Sequence, residues 1–465
     1  FTSEPYAVTL AAGAATKLVL TNPASGFVNR VAFSTQPTVM IQDSSGNVVA
    51  NHNQSITVTR TAVDPSKPAT LTGDRTVDVA GGVITFTNLR LEGKVGEFDL
   101  TFESGSLSST TQRVTLTHGA ATAIVLTGAT TASNARAIAS NVVAEIQDAD
   151  GNRITSGSNS NQQIVMTASG AALTGTDRVN ASSGVATFSN LTLTATAGTK
   201  RLTATITSPS TITGIRDIEL AHGEATQLVL TTSATGAVNR SAFTTQPVVS
   251  VRDVSGNPVS DFVGRVSVAL TSPGSNSAVI SGTAYRDLNS SPTATFTGLG
   301  LNGDVGDYTL TFTHSTLTAP SQSITLAHGS ANYLSISSPA SASNSQTLGT
   351  AIDVDIKDID GNLITTGTPE VTLTIAGASF SGNTVRNAAD GTVSFTDLKI
   401  IGLAGTKTFT VSVASPISLT DTETITLNHG SATKVVVTTA ASGAVNRANF
   451  TTQPVVSVQD VSGNP

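Results

Sequence analysis

The sequence predicts an all-β protein, a tandem array of β-sandwich domains arranged as an extended rod. Three observations predict this fold. Short motifs recur with a period of roughly a hundred residues along the chain of 465. Brief segments between turn signals alternate apolar and polar side chains, as in "FDLTFES" around Phe98. The chain holds no Cys, so each domain must be stabilised by its own hydrophobic core and not by disulfides.

Two sequence motifs define the period. A His-Gly pair recurs at intervals of 104, 106 and 101 residues, at His118–Gly119, His222–Gly223, His328–Gly329 and His429–Gly430. An Asp-x-x-Gly-Asn motif recurs at intervals of 105, 105, 105 and 102 residues, at Asp43, Asp148, Asp253, Asp358 and Asp460. Agreement between independent motifs on one period is the signature of a repeat architecture.

The repeats alternate between two types. The motif "VNRxxF" occurs only in the first, third and fifth units, which we call type A, and the others are type B. Residues 237–258 and 444–465 are identical at 19 of 22 positions, which indicates recent duplication of a two-domain unit. The two types therefore predict a super-repeat of about twice the single period.

These motifs predict the domain boundaries. We expect complete domains at 13–118 (type A), 119–222 (type B), 223–328 (type A) and 329–429 (type B), with the closing strand of a preceding domain at 1–12 and the start of a further type A domain at 430–465. An incomplete sandwich leaves strand edges unpaired, so we expect a part of a longer repetitive protein. The alternative is that the end strands pair with neighbouring copies.

Each unit is expected to be an immunoglobulin-like sandwich, because seven or so short strands fall within about a hundred residues. One strand must change direction: in "VITFTNLRL", Ile84 and Phe86 have one parity, while Leu89 and Leu91 have the other. A bulge, or a short turn at Asn88, would bring all four side chains into one core.

The repeats resemble a known family. "VVSVRDVSGNPV", "ATFTGLGL" and "VGDYTLTF" are similar to the bacterial immunoglobulin-like repeats of the invasin and intimin type, the Big-1 class, and the resemblance extends over essentially the whole chain. One departure is that Pro follows Gly-Asn only at Pro258 and Pro465. The resemblance implies the stalk of a large bacterial cell-surface protein, with adhesion located in a domain elsewhere.

Composition excludes several functions. Charged residues make up 12% of the chain, the net charge is −7, and no basic run appears, so we expect neither nucleic-acid binding nor attraction to anionic membranes. The sequence contains no run of about 18 apolar residues, so we expect no segment that inserts into a membrane. No nucleophile elbow and no pairing of His with Ser and Asp recurs, so we predict no enzyme activity and no cofactor.

The Asp-x-x-Gly-Asn loop has two interpretations. Carboxylate and amide oxygens suit calcium, which makes Asp43, Asp148, Asp253 and Asp358 candidate ligands. The alternative, which we favour, is a turn in which Asp accepts backbone N–H groups and Gly-Asn adopts positive φ. One carboxylate per loop is far fewer than the six to eight oxygens that calcium requires.

Other repeated residues are assigned to the joints between domains. We expect Gly to provide a bend in each His-Gly pair and His to pack between neighbours, since the pairs lie a whole domain apart and cannot form one metal site. The Asn-Arg pair of "VNRxxF" occurs only in type A units, at Arg30, Arg240 and Arg447, where we expect the Arg to pair with an acid across the joint. The alternative is that these Arg contact another molecule.

Two functional hypotheses follow. The first is a structural repeat region of a giant bacterial surface protein, a stiff extracellular stalk that presents a distal adhesive domain. The second is a self-assembling subunit of an extracellular filament, sheath or S-layer, favoured by the low charge. The expected partners are neighbouring domains and other copies of the chain. A carbohydrate-binding module is a weaker third hypothesis, because the chain has no Trp and four Tyr.

Overall fold

The computed structural model describes residues 4–208, 210–415 and 417–465, and within them the protein is all-β. Contacts divide the chain into two compact units, Phe1–Glu224 with Asp253–Asn257, and Ala225–Arg252 with Pro258–Pro465. A 3-10 turn at Ser158–Asn161 is the only helical element in these residues. None of their helices is long and apolar enough to cross a membrane.

The first unit contains the strands of two domains. The first domain has β1 (Lys17–Asn22), β2 (Thr38–Gln42), β3 (Ile56–Ala62), β4 (Ala69–Thr72), β5 (Thr76–Val77), β6 (Val83–Thr85), β7 (Arg90–Gly93), β8 (Gly96–Glu103) and β9 (Thr110–Leu116). The second domain has β10 (Ala123–Gly128), β11 (Thr131–Ser133), β12 (Val142–Gln147), β13 (Gln163–Ser169), β14 (Ala172–Thr174), β15 (Arg178–Asn180), β16 (Val185–Phe188), β17 (Thr192–Thr194), β18 (Gly198–Ile206) and β19 (Ile212–Ala221).

The second unit contains the strands of two further domains and a terminal hairpin. The third domain has β20 (Gln227–Thr232), β21 (Ser241–Ala242), β22 (Val248–Arg252), β23 (Val263–Thr271), β24 (Ala278–Ser281), β25 (Tyr285–Asn289), β26 (Thr293–Thr295), β27 (Gly300–Gly303), β28 (Gly306–Thr313) and β29 (Ser321–Leu326). The fourth has β30 (Tyr333–Ser337), β31 (Ser341–Ser343), β32 (Ile352–Lys357), β33 (Glu370–Ile375), β34 (Ala378–Ser381), β35 (Val385–Asn387), β36 (Thr392–Phe395), β37 (Lys399–Gly402), β38 (Gly405–Val413) and β39 (Leu419–Asn428), and the hairpin has β40 (Lys434–Thr439) and β41 (Val455–Gln459).

Every complete domain repeats one sheet plan. A three-stranded antiparallel sheet faces a larger sheet of four or five strands, as β1-β2-β6 faces β5-β3-β8-β9 in the first domain. In type B domains the larger sheet gains a parallel edge strand, β11 beside β19 and β31 beside β39. This arrangement is the tandem immunoglobulin-like β-sandwich that the sequence predicts.

Alternating side chains from the two sheets fill each core. Phe98, Leu100 and Phe102 of β8 are fully buried, as the period-2 pattern predicts. The rings of Phe86 and Phe102 lie 5.4 Å apart between the sheets. Separate core clusters form in each complete domain, over 15–116, 121–220, 225–326 and 331–427. They lie within the four predicted domains, whose boundaries stay a prediction.

The change of parity after Phe86 is a turn and not a bulge. Asn88 has φ 58°, a left-handed conformation that Asn tolerates. The turn moves the chain from β6, which pairs with β2, to β7, which pairs with β4. Leu89 and Leu91 thereby reach the same core as Ile84 and Phe86.

The predicted strand at 1–12 remains untested. Residues 1–3 lie outside the described residues, and residues 4–12 carry no strand in this structure. Tyr6, Val8 and Leu10 are exposed, and they alternate with polar or small residues.

Candidate functional site: the domain joints

The Asp-x-x-Gly-Asn loop of one domain contacts the end of the domain before it. At the first joint the Asn29 side chain of the first domain donates to Oδ2 of Asp148 in the second, at 2.8 Å. The backbone N–H of Gly119, in the linker, donates to the same oxygen at 2.9 Å. One buried carboxylate oxygen therefore holds the preceding domain and the linker together.

The Asn that ends the motif makes a second pair of contacts. Asn152 accepts from the backbone N–H of Val95 at 3.0 Å and donates to the backbone oxygen of Gly93 at 2.8 Å. The Gly93 N–H in turn donates to Oδ1 of Asn29, at 3.0 Å. We use the name joint cluster for these groups together. It comprises the Asn of the preceding domain (here Asn29), the linker Gly (Gly119), the motif Asp and Asn (Asp148 and Asn152), and the backbone that they contact.

The joint cluster is repeated at four joints. Its cross-joint Asn–Asp bond measures 2.8, 2.8, 2.9 and 2.8 Å, for Asn29–Asp148, Asn134–Asp253, Asn239–Asp358 and Asn344–Asp460. The linker N–H bond to the same Asp measures 2.9, 2.8, 2.8 and 2.8 Å, from Gly119, Gly223, Gly329 and Gly430. All eight of these Asn and Asp side chains are buried, so each bond is made away from solvent.

The loop is shaped by its own sequence. Oδ1 of Asp148 accepts from the backbone N–H groups of Asp150 and Asn152, at 3.0 and 2.9 Å, which closes an Asx turn. Gly151 sits in this turn at φ 71°, a left-handed conformation that favours glycine. The backbone N–H groups of the turn use one carboxylate oxygen, and the other accepts from the joint and from the Asn152 side chain.

Hydrogen bonds hold the joint carboxylates ionised. Burial alone would raise the pKa of Asp148, but donation from Asn152, Gly119 and Asn29 outweighs it and lowers that pKa to about 2. The pKa values of Asp253 and Asp358 are lowered in the same way, against the effect of burial. A charge-assisted hydrogen bond is stronger than a neutral one, so ionisation strengthens the joint.

Two of the three type A arginines, Arg30 and Arg240, pair with an acidic side chain across a joint. Arg30 forms a two-point contact with Asp150, at 2.7 and 2.9 Å, and lowers the pKa of that carboxyl group. Arg240 and Asp360 repeat it, with both distances 2.7 Å. Arg447 shares their left-handed backbone, at φ 65° against 63° and 62°. Whether these Arg also contact another molecule stays untested.

The His-Gly pairs lie where two backbones approach closely. None of the four glycines has positive φ, and a bend at Gly stays a prediction. A Cβ on Gly119 would lie 2.7 Å from the backbone oxygen of Asn29, so only glycine permits this close approach. His118 contacts Ser156 of the next domain, and His328 contacts Thr366, at 2.9 and 3.0 Å.

The four calcium candidates all lie in these loops. Each carboxylate accepts N–H groups from the backbone and from Asn side chains, as the Asp43 oxygens do from Gly13, Ser45 and Asn47. In the described part of the chain, no three His, Cys, Asp or Glu side chains are grouped as metal ligands. The geometry therefore favours the turn interpretation of the motif, and calcium binding stays an untested hypothesis.

Sequence reasoning missed the Asn partners of the motif. Asn29, Asn134, Asn239 and Asn344 are spaced by 105 residues, the same interval as the motif Asp from Asp43 to Asp358. The signal was hidden because "VNR" in type A units becomes "SNA" or "SNS" in type B units. Only the Asn is shared, and the following residue keeps positive φ in both types.

No protein-family model matches the chain, and no curated protein matches it. Among solved structures it is similar to FdeC, an Escherichia coli adhesin, with 16% identity and a TM-score of 0.27, over 69% of this chain and 100% of that chain. It is similar to invasin, a bacterial integrin-binding protein, with 15% identity and a TM-score of 0.28, over 92% of this chain and 82% of the other.

Another similar structure is that of surface layer protein SbsC, domains 4–9, with 15% identity and a TM-score of 0.21, over 97% of this chain and 71% of the other. Bacterial adhesin and invasin proteins are thus among the structural neighbours, and they are the group that the sequence resembles.

Proposed function

We propose that the chain is the repeat region of a bacterial cell-surface protein, an extracellular stalk whose stiffness presents a distal adhesive domain. The observation that carries the proposal is the buried Asn–Asp bond repeated at each of four joints. A chain of loosely linked domains has no use for such a bond, whereas a stalk must keep each domain oriented on the next.

The linkers support the same proposal. Only residues 117–122 separate β9 of the first domain from β10 of the second. Both ends of this linker are hydrogen-bonded, since Thr117 accepts from the backbone N–H of Asn29 and Thr122 donates to the backbone of Gln147. A short linker fixed at both ends behaves as a stiff connection and not as a flexible tether.

Small-angle scattering of the purified chain tests the stalk. A rod of four domains, each roughly 35 Å long, has a radius of gyration of about 40 Å. A compact globule of this length has about 23 Å. The expected result is the larger value with the scattering profile of a rod, and a value near the smaller one would overturn the proposal.

The second candidate is a self-assembling subunit of a filament, sheath or S-layer, which one surface favours. On the larger sheet of the fourth domain, the outward positions of three neighbouring strands carry Glu370 and Asn428 at two strand ends and hydroxyl side chains elsewhere: Thr372, Thr374, Thr406, Thr408, Thr410, Ser412, Thr420, Thr422, Thr424 and Thr426. A face with so little charge opposes lateral contact less than a highly charged one. Short hydroxyl side chains also lose little conformational entropy when a neighbour covers them.

Sedimentation at increasing protein concentration tests this candidate. Concentration-dependent association that Thr408→Lys with Thr424→Lys abolishes would support assembly through the hydroxyl face. The matched control is Thr203→Lys, at an outward position of the second domain beside Arg201 and Asp217. Monomeric behaviour at all concentrations would count against assembly and leave the stalk proposal intact.

A further inference from the structure

The two kinds of joint differ at a pair of residues that lies at the edge of the joint cluster. Where a type A domain precedes a type B domain, the residue after the joint Asn is Arg, and the second residue after the motif Asp is also Asp. These are the pairs Arg30–Asp150 and Arg240–Asp360, which make the two-point contacts described above.

Where a type B domain precedes a type A domain, both positions lose their charge. Ala135 follows the joint Asn, and Ser255 takes the place of the second Asp. The Ser255 hydroxyl donates instead to Oδ1 of Asn134, at 3.2 Å. The fourth joint repeats this pattern, with Ser345 after the joint Asn and Ser462 donating to Asn344 at 3.3 Å.

The mismatched combinations are unfavourable for a physical reason. The Asp150 side chain is only 18% exposed, so it needs the Arg30 guanidinium that faces it. A type B end would face it with Ala or Ser and leave this carboxylate without a cation. A type A end facing Ser would leave Arg30 without its two-point partner across the joint, with Glu92 of its own domain, 3.6 Å away, as the remaining carboxylate. The two pairs therefore discriminate between domain types.

One loop of the same form has no domain docked on it in this structure. In the first domain Asp43 closes the same Asx turn and accepts from the linker N–H of Gly13 at 2.8 Å. Its Asn47 is exposed, whereas Asn152, Asn257, Asn362 and Asn464 are buried in their joints. Ser45 is exposed too, while Ser255 and Ser462 are half-buried.

We propose that Gly13 and the 43–47 loop form a docking surface for the end of a type B domain, and that Ser45 selects this type over type A. The inference rests on the proposed function, since it describes how consecutive domains of a stalk recognise each other. The partner is a domain end that presents an Asn followed by a small uncharged residue, as Asn134–Ala135 and Asn344–Ser345 do.

The filled joints specify the contacts. The partner's Asn donates its amide to Asp43, as Asn134 does to Asp253. The partner's backbone gives Asn47 one N–H and one C=O two residues apart, as Ala197 and Ala195 give Asn257, at 2.6 and 3.0 Å. Ser45 then donates its hydroxyl to the partner's Asn.

The test extends the full chain by one domain. A copy of residues 119–222 (type B), or of residues 13–118 (type A), replaces residues 1–12 ahead of Gly13, and each version is made with Ser45 and with Ser45→Asp. The readout is amide hydrogen exchange of loop 43–47 and of the added backbone equivalent to 195–197 or 93–95. The internal joint at Asp253 serves as the reference in every sample.

The type B extension is expected to slow exchange of the loop about tenfold or more relative to the unextended chain, because several hydrogen bonds form together. The type A extension is expected to protect the loop several-fold less, and Ser45→Asp is expected to reverse this order. The same protection by both extensions, unchanged by Ser45→Asp, would overturn the selection. No protection by either would overturn the docking surface, while a protected internal joint would leave the stalk proposal standing.

Discussion

Asp148→Asn is the perturbation that isolates the joint most cleanly. The substitution keeps the size of the side chain and one acceptor oxygen, which can still close the turn with Asp150 and Asn152. It replaces the other oxygen by an amide that faces the two joint donors, Asn29 and Gly119, as well as the side chain of Asn152 in its own loop. Two charge-assisted bonds are lost, and the joint is weakened while both sandwich cores stay intact.

The expected cost follows from these two bonds. A hydrogen bond to a charged group contributes about 1.5 kcal/mol or more, so their loss weakens the joint by about 3 kcal/mol. This free energy corresponds to a roughly hundredfold increase in the population of the opened joint. Amide exchange at Gly119 and Val95, whose N–H groups donate into the joint cluster, should accelerate by a similar factor.

The matched control is Asp43→Asn. Asp43 closes the same turn, but within the described residues no Asn of another domain donates to it. The control is therefore expected to disturb its own loop without accelerating exchange at Gly119. Equal exchange rates at Gly119 in Asp148→Asn and in the unaltered chain would refute the assignment of the joint to this carboxylate.

Three further predictions concern the same clusters. Asp148 has a depressed pKa in the folded protein, so its contribution is complete above about pH 4, where the unfolded group is also ionised, and is lost as the pH falls towards about 2. The protection of the Gly119 amide, measured as its exchange rate relative to the intrinsic rate at the same pH, should fall over this range, and constant protection would contradict the charge-assisted joint. Gly223→Ala should open the second joint and lower the melting temperature, because a Cβ at this position would clash with the backbone oxygen of Asn134. The control is Gly349→Ala, which should leave the melting temperature unchanged because a Cβ there meets open space. A calcium chelator should leave amide hydrogen exchange at every joint unchanged, because N–H donors already occupy the Asp oxygens. Faster amide exchange after chelation, reversed by added calcium, would instead support the calcium hypothesis.

The fold was predictable because its signals are local. Period-2 alternation in β8 and the parity change at Asn88 are consequences of strand geometry, which a single sequence displays directly. The repeat motif also located the Asp loops. The role of these loops in the joints could not be predicted, because the loop sequence by itself predicts only a turn. The second carboxylate oxygen of Asp148 accepts a hydrogen bond from Asn29, which lies 119 positions away in the sequence.

The joint Gly illustrates a second limit of the sequence. A Gly between two domains suggests a bend, because glycine tolerates unusual φ. Gly119 instead has an ordinary φ and is required by the nearness of the Asn29 backbone. Close approach of two backbones depends on tertiary packing, which local sequence does not encode. Arg30 differs in this respect, because the type-specific "VNR" motif pointed to a joint and the side chain contacts Asp150 of the next domain.

The central claim is that the joint cluster fixes one domain on the next, and a distance distribution across the first joint tests it most directly. Because the chain contains no Cys, spin labels can be attached at Ser66→Cys and Thr167→Cys, two exposed positions in the first and second domains. Pulsed electron paramagnetic resonance is expected to give one narrow distance distribution in the otherwise unaltered chain and a broad one when Asp148→Asn is added. Distributions of equal width in the two proteins would contradict the claim.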